Sequence, residues 1–250
     1  MPAAWQPRLK RRLIAGDQLL GCLLRMPADE TVEMLGVAGF DFVVIDCEHG
    51  PADLIALRTH LALAQLHGMP ALVRVGSAEP ALVLRALDAG AEGIIAPHID
   101  TADQARALVG SAHYPPNGMR GFATYSRAGQ FGRTHPDEHL RTAKDNTLVF
   151  GMIESPLGVR NAAEILAVPG LDGTMVGNAD LQASSTAADP NPSDAIEQVH
   201  KVAAQLGRCR MDIVNGVDQA RASFRDGAQL VVYNLTATFM DHLAKLREAH

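Results

Sequence analysis

The sequence is short of cysteine, of lysine and of long apolar runs. Its three cysteines, Cys22, Cys47 and Cys209, are odd in number and have no CxxC spacing. A disulfide framework and a structural zinc site are therefore not expected, and a reducing compartment is favoured. No apolar run approaches the roughly 18 residues that a membrane span needs, and Met1–Arg12 has no signal-peptide core. We predict a cytoplasmic protein without a membrane partner.

Positive charge is also scarce, with 22 Lys and Arg against 28 Asp and Glu and a formal net charge of −6. Because the chain has no basic stripe to meet a phosphate backbone, nucleic acid is not an expected partner. Hydrophobic residues make up 47% of the 250 residues, which is enough to bury a substantial core. Length and composition together indicate one large globular α/β domain.

Short apolar runs alternate with longer amphipathic runs along the whole chain. The apolar runs predict eight strands, at Gln18–Leu24, Phe42–Asp46, Ala71–Val75, Gly93–Ala96, Leu148–Ile153, Gly173–Val176, Cys209–Ile213 and Leu230–Tyr233. The amphipathic runs predict helices, among them Pro51–Leu66, Pro80–Ala89, Thr101–Val109, Pro156–Leu166, Asp194–Leu206, Gly216–Asp226 and Thr236–Glu248. Because runs such as Val43–Ile45 are continuously aliphatic, the sheet should be parallel and covered on both faces.

Eight strands that alternate with helices predict a single α/β domain over residues 1–250, a (β/α)8 TIM barrel. The alternative is an open doubly wound sheet, but no GxGxxG or GxxxxGKS/T follows a predicted strand. The one long irregular stretch, Ser111–Pro136, comes after the fourth strand. We expect it to overhang the end of the barrel where sites form.

The candidate site is at the carboxyl ends of the strands, where barrels of this class carry their chemistry. Charged or ionisable side chains follow five of the predicted strands: Asp46, Glu48, His49, Arg74, His98, Glu154 and Asp180. Two carboxylates, Glu154 and Asp180, can hold a divalent cation and leave positions open for a chelating 2-oxo acid. Arg74 can bind the substrate carboxylate or an enolate oxygen, and His49 is the natural proton shuttle.

Each of these residues also has a structural interpretation. Asp180 could cap the helix that follows it, Arg74 could close a salt bridge, and His49 could be a loop histidine bonded to the backbone. Asp46, Glu48 and His98 are second-rank candidates. Asp46 and Glu48 could hold the turn after the second strand, and His98 has no assigned task. The joint occurrence of these side chains at strand ends is what favours a site.

Schiff-base aldolases need a lysine in the barrel mouth. The lysines of this chain are Lys10, Lys144, Lys201 and Lys245, and none ends a predicted strand. A metal-stabilised enolate therefore remains as the way to stabilise a carbanion next to a 2-oxo group.

At these residues the sequence resembles the HpcH/HpaI aldolase family. The matching segments are Phe42–Gly50, Val73–Arg74, Leu87–Gly90, Tyr114–Pro116, Gly118–Gly121, Ile153–Glu154 and Gly177–Leu181. The DxEHG segment combined with the later glutamate and GxADL is fairly specific. The chain departs from the family at Cys47, Asn178 and Gln182, where members often carry Gly or Ala, Pro, and Ser. Because Leu230–Met240 also lacks the usual Gly and Asp, the aldehyde specificity is not predicted.

The resemblance implies a barrel of the phosphoenolpyruvate/pyruvate-binding type that acts as a class II aldolase. Such an enzyme reversibly cleaves 4-hydroxy-2-oxo acids to pyruvate, or a related 2-oxo acid, and an aldehyde. The residues that match Glu154 and Asp180 hold Mg²⁺, Mn²⁺ or Co²⁺. The match to Arg74 binds the pyruvate end, and the match to His49, oriented by an aspartate that aligns with Asp88, handles the proton.

The resemblance also implies contacts and an assembly. The substrate carboxylate would meet the backbone amides of Gly177, Asn178, Ala179 and Asp180. Family members commonly form hexamers, trimers stacked in pairs with the last helix exchanged between neighbours, so a homo-oligomer is expected.

Two other functions remain open at this point. A lyase similar to citrate lyase or malyl-CoA lyase would need a basic, glycine-rich cradle for the phosphates of coenzyme A, and the sequence has none. A non-catalytic barrel that binds a metal–oxo-acid complex would have no need of a proton shuttle such as His49.

Overall fold

The computed structural model describes residues 9–50 and 53–248. In these ranges eight parallel strands follow one another in chain order and close into a barrel. The strands are β1 Leu19–Leu24, β2 Phe42–Asp46, β3 Ala71–Arg74, β4 Gly93–Ala96, β5 Leu148–Ile153, β6 Gly173–Val176, β7 Cys209–Val214 and β8 Leu230–Asn234. All eight predicted strands are confirmed to within one residue at each end, and so is the (β/α)8 barrel.

The helices surround this barrel, apart from a short first helix that precedes β1. They are α1 Leu9–Ile14, α2 Asp29–Ala38, α3 Leu54–Leu66, α4 Pro80–Asp88, α5 Ala102–Ala112, α6 Pro136–Asn146, α7 Pro156–Arg160, α8 Ala162–Leu166, α9 Asn178–Ser184, α10 Pro192–Gln205, α11 Val217–Arg225 and α12 Leu235–Arg247. None of them is long and apolar enough to cross a membrane.

Alternate side chains of each strand point into the barrel and out towards the helices. Leu23 of β1 and Val44 of β2 pack in the interior, whereas Cys22 and Val43 pack under the helices. Leu9 of α1 joins the interior cluster and closes the barrel at the end where the strands begin. Because the alternation has a period of two residues, it also decides which residues at the carboxyl ends face the mouth.

Two helical predictions need adjustment. The predicted helix Pro156–Leu166 is two helices, α7 and α8, because the backbone of Asn161 between them (φ −93°, ψ 5°) leaves the helical range. Helix α3 begins at Leu54, where the Asp53 carboxylate accepts from the backbone N–H of Ile55. Pro51 and Ala52, the predicted start of that helix, lie outside the described residues.

The stretch Ser111–Pro136 packs on the outer helical layer, so the expectation that it overhangs the mouth is wrong. Arg120 stacks on the Tyr114 ring at 4.4 Å and donates to Asp88, the last residue of α4, at 2.7 Å. Arg127 contacts Gln65 near the end of α3. The reason is that the stretch follows α5, which leads the chain away from the mouth and back towards the start of the next strand.

Cys22, Cys47 and Cys209 are free thiols, as the absence of a disulfide pattern predicted. Burial raises the pKa of Cys22 to about 12 and that of Cys47 to about 11, so neither thiol is a nucleophile near neutral pH. A cytoplasmic location stays a prediction.

Acidification is expected to destabilise the fold through His139. This histidine is buried against Tyr114, whose hydroxyl lies 3.0 Å from Nε2, and burial, with the charge of Arg120, lowers its pKa. Below about pH 6.5 His139 is therefore protonated in the unfolded chain but stays neutral in the folded chain. The free energy of unfolding then falls by up to about 1.4 kcal/mol per pH unit until the pKa of the folded state is reached. Urea unfolding at about pH 7.5 and pH 5.5 should show this loss, and His139→Gln should make it smaller. An equal loss in both proteins would contradict the role of His139.

Candidate active site

The mouth of the barrel carries a row of charged side chains from neighbouring strands. Asp46 ends β2 and lies opposite Arg74 of β3 in the strand register. Arg25 follows β1 and Glu154 follows β5, each two residues beyond an inward-facing side chain, Leu23 in the first case and Met152 in the second. Strands of the barrel thus bring four ionisable groups to one end, where burial strengthens the interactions between them.

Asp46 is buried and joins two arginines. Its carboxylate accepts from Arg74 at 2.9 Å (Nε) and 2.5 Å (Nη2), and from Arg25 Nε at 2.9 Å. It also accepts from the backbone N–H groups of Glu48 and His49 at 3.1 and 3.2 Å. Burial alone would raise the pKa of Asp46, but the bonds to Arg74 and these other donors hold it below its usual value. Asp46 therefore stays ionised and fixes both the turn after β2 and the guanidinium of Arg74.

Arg74 is held on two sides and remains charged. Its third nitrogen, Nη1, lies 3.1 Å from Glu48 Oε2, while the other two face Asp46. Burial lowers the pKa of the Arg74 side chain, but Asp46, Glu48 and Glu154 together raise it above the usual value. The guanidinium is thereby fixed in a planar orientation suited to a carboxylate or an enolate.

Glu154, Glu48 and His98 form a group that fits a metal ion. Each offers one ligand atom, and these atoms all lie within 4.8 Å of one another. Glu154 is buried, and its Oε1 accepts from the backbone N–H of His98 at 2.6 Å and lies 2.9 Å from His98 Nδ1. Glu48 Oε2 is buried, and among the described residues it accepts no hydrogen bond, although Arg74 Nη1 lies 3.1 Å away as its ion partner. Two carboxylates and an imidazole are a donor set that suits a divalent cation such as Mn²⁺.

Asp180, the second predicted metal ligand, lies outside that three-residue group but on the same end of the barrel. It is an exposed residue in the first turn of α9. Burial raises the pKa of Glu154, and the negative charges of Glu48 and Asp180 add to the rise, against the lowering effect of His98. The N-cap of α9 is Gly177, which has no side chain with which to cap the helix. Helix capping by Asp180 is therefore not observed.

Gly177 lets the end of β6 approach Glu154 closely. A Cβ atom at this position would lie 2.6 Å from the Glu154 Cβ and would also overlap Oε2. Asn178 and Ala179 are exposed in the first turn of α9, where backbone N–H groups have no partner within the helix. Binding of a substrate carboxylate by these amides stays a prediction.

The two histidines of the mouth differ in how they are held. His98 has a φ of 56°, a left-handed conformation that is strained for a residue other than glycine, and this conformation turns both its backbone N–H and its ring towards Glu154. His49 is about half exposed, and its Nε2 lies 3.9 Å from Glu48 Oε2. His49 is thus free to contact a substrate, while His98 is tied to Glu154.

Asp88 is the predicted site residue that the fold does not bring to the mouth. It ends α4, which leads the chain from the carboxyl end of β3 towards the start of β4, and its carboxylate binds Arg120. Within one chain Asp88 therefore cannot orient His49. In contrast, Arg25 lies in the mouth but was not among the candidates; the period-two pattern Leu19, Leu23, Arg25 is the signal that indicates it.

Comparison with known proteins covers most of the chain. The sequence profile described as HpcH/HpaI aldolase/citrate lyase matches residues 21–236. The hydroxypyruvate/pyruvate aldolase of Roseovarius nubinhibens is 36% identical over 199 residues, which cover 79% of this chain and 77% of that protein. The 5-keto-4-deoxy-D-glucarate aldolase of Salmonella newport is 35% identical over 210 residues, with coverages of 82% and 81%.

Among solved structures, an HpcH/HpaI aldolase/citrate lyase family protein from Burkholderia cenocepacia superposes with a TM-score of 0.89 and 31% identity, covering 98% of this chain and 99% of that one. The fold and the sequence similarity thus agree. The chain belongs to the HpcH/HpaI aldolase/citrate lyase family, a family of enzymes that act on carbon–carbon bonds.

Proposed function

We propose that the chain is a metal-dependent class II aldolase that reversibly cleaves 4-hydroxy-2-oxo acids to pyruvate, or a related 2-oxo acid, and an aldehyde. The observation that carries this proposal is the buried carboxylate of Glu154, which faces Glu48 and His98 at the end of the barrel where Arg74 is fixed. A buried carboxylate among other carboxylates is unfavourable unless a positive charge meets it. The similarity to two enzymes named as aldolases supports the same reaction type.

We assign the cation to Glu154 and Asp180, and Glu48 and His98 offer further ligand atoms within 4.8 Å of Glu154. When bound, Mg²⁺, Mn²⁺ or Co²⁺ supplies a Lewis acid that polarises the 2-oxo group and makes the neighbouring carbon more acidic. Glu154 is the one residue that belongs both to the strand-end pair predicted from the sequence and to the group with Glu48 and His98.

The remaining steps belong to side chains of the mouth. In the cleavage direction a base removes the proton of the 4-hydroxyl, whose oxygen forms the aldehyde carbonyl as the C3–C4 bond breaks. The electron pair of that bond forms the C2=C3 bond of the enolate, and the negative charge develops on the 2-oxo oxygen. Arg74 stabilises that charge, since Nη2 keeps one N–H beyond the one that faces Asp46, whereas Nη1 faces Glu48 and the Met152 sulfur. His49 is the residue that we propose moves the proton from the hydroxyl and back to C3, because it is accessible and stands beside Glu48.

The proposal is tested by proton exchange without any aldehyde present. With Mn²⁺ and pyruvate in D₂O, we expect the methyl proton signal of pyruvate to disappear with time, and a chelator should stop the exchange. Exchange of hydroxypyruvate under the same conditions would extend the donor range. No exchange with any of the three metals would contradict the proposal, and exchange of an acyl-CoA in place of pyruvate would indicate a CoA-dependent lyase.

We propose further that the chain forms a homo-hexamer in which α12 is exchanged between neighbours. Of the described side chains of α12 only Leu235 is buried, and Phe239, Met240, Leu243 and Leu246 are exposed apolar residues. Since Asp88 lies away from the mouth of its own chain, a neighbouring copy is the way to bring it to His49. Light scattering should give the mass of six chains; the mass of one chain would contradict the assembly.

A further inference from the structure

The loop that follows β4 holds His98, a member of the group with Glu48 and Glu154, in a strained conformation. Its φ of 56° lies in the left-handed region, which is unfavourable for a residue that has a Cβ atom. In this conformation the backbone N–H donates to Glu154 Oε1 at 2.6 Å, while the ring Nδ1 lies 2.9 Å from the same oxygen. A strained backbone of this kind persists only where the surrounding structure holds it. The residues next to His98 must therefore supply the restraint.

Asp100, two residues after His98, joins this loop to the loop that follows β5. Its Oδ1 accepts from the hydroxyl of Ser155 at 2.5 Å, and Ser155 comes directly after Glu154 in the chain. Ser155 Oγ also accepts from the backbone N–H of Gly158 at 3.0 Å, so its single hydroxyl proton is directed to Asp100. This side-chain bond therefore connects the two loops that carry His98 and Glu154.

The backbone of Asp100 is fixed as well. Its N–H donates to Gln104 Oε1 of α5 at 2.8 Å, and its carbonyl accepts from the side-chain amide of Asn161 at 2.8 Å. Ile99, which lies between Asp100 and His98, is buried, and its N–H donates to a carbonyl of β5 at 3.0 Å. Because the chain is fixed on this side, His98 has little freedom to leave the left-handed conformation.

We propose that Asp100 is a positioning residue of the candidate metal site: through Ser155 it holds His98 in the conformation that presents its N–H and its ring to Glu154. No Arg or Lys side chain of ranges 9–50 and 53–248 pairs with Asp100, so its carboxylate contributes a hydrogen bond and no salt bridge. Groups that orient metal ligands contribute to metal affinity without contact with the ion. This inference rests on the proposed metal-dependent function and names a residue that supports the same site.

Binding of Mn²⁺ in the absence of any substrate tests the inference, with free Mn²⁺ measured by its EPR signal. Asp100→Ala should raise the Kd for Mn²⁺ roughly tenfold to hundredfold. Asp100→Asn should stay close to wild type, because its amide oxygen still accepts from Ser155. Ser155→Ala breaks the same bond from the other side, so the double variant with Asp100→Ala should bind Mn²⁺ no more weakly than the weaker of the two single variants.

A second set of variants tests whether Asp100 acts through His98. Glycine adopts a φ near 56° without strain and has no ring to hold. Asp100→Ala should therefore leave the Kd of the His98→Gly protein almost unchanged. Asp103→Ala is the control for lost negative charge, since Asp103 is exposed in α5 and pairs only with Arg106 on the same helix. It should leave the wild-type Kd unchanged, and thermal unfolding in chelator should show that every variant is folded.

A wild-type Kd in Asp100→Ala would overturn the inference, and so would an equal rise in Kd in the wild-type and His98→Gly backgrounds. An equal rise in Asp100→Asn and Asp100→Ala would assign the effect to charge and would overturn it too. Wild-type protein that binds no Mn²⁺ rejects the metal-dependent aldolase itself. Binding that Asp100→Ala does not weaken rejects the role of Asp100 alone.

Discussion

Glu154→Gln is expected to lower the rate of pyruvate methyl-proton exchange by roughly 10²–10³-fold while the barrel stays folded. Glutamine has the shape of glutamate, and its amide oxygen can still accept the backbone N–H of His98. What is lost is the negative charge that faces Glu48 and Asp180 at the candidate metal site. Removing one of several clustered acidic groups relieves repulsion in the metal-free protein. We therefore expect no loss of stability in the presence of chelator, together with a much weaker response to Mn²⁺.

The measurement combines exchange rates over a range of Mn²⁺ concentrations with thermal unfolding in chelator. Glu164→Gln on the outer helix α8 is the matched control, since Glu164 is exposed and far from the mouth. It should change neither quantity. Full exchange activity in Glu154→Gln would contradict the assignment of the cation to Glu154.

The strands of this barrel could be predicted from the sequence because burial on both faces leaves a continuous aliphatic signal. β2 and β5, for example, begin and end where their runs Phe42–Asp46 and Leu148–Ile153 do. Once the strands were placed, the carboxyl-end rule was enough to name Arg74 and Glu154, which lie within the same charged row. Apolar spacing predicts helix boundaries less well, since the backbone of Asn161 divides α7 from α8 without any change in that spacing.

The rest of the site depends on information that no local pattern carries. His98 faces Glu154 because its backbone adopts a left-handed conformation, which residue type alone does not indicate for histidine. Arg25 comes directly after β1, and its Nε donates to Asp46 at 2.9 Å. The prediction considered the strand only as far as Leu24 and therefore missed it. Asp88 ends α4, away from the mouth of its own chain, and its role beside His49 stays a prediction from sequence similarity.

Arg74→Lys is expected to lower kcat/KM for aldol cleavage by roughly 10²–10³-fold, with a lower kcat and a higher KM. Lysine keeps the charge, but one ammonium cannot face both oxygens of Asp46, reach Glu48 and still offer a donor to the substrate. The interaction that is lost strengthens as negative charge develops on the 2-oxo oxygen. The substitution therefore destabilises the transition state more than the bound substrate. Lysine is preferred to alanine here, because removing the cation from buried Asp46 would cost about 3–5 kcal/mol of stability.

Arg210→Lys supplies the matched control for this substitution. Arg210 makes the same two-point contact with Asp212, at 2.8 and 2.6 Å, but from β7 towards the outside of the barrel. If the effect of Arg74→Lys came from a loosened Arg–Asp pair, both variants would lose stability and activity together. We expect only Arg74→Lys to lose kcat, because only its guanidinium adjoins the group of Glu48, Glu154 and His98. A normal kcat in Arg74→Lys would mean that a point charge suffices, and the planar fork would then have no part in stabilising the developing enolate.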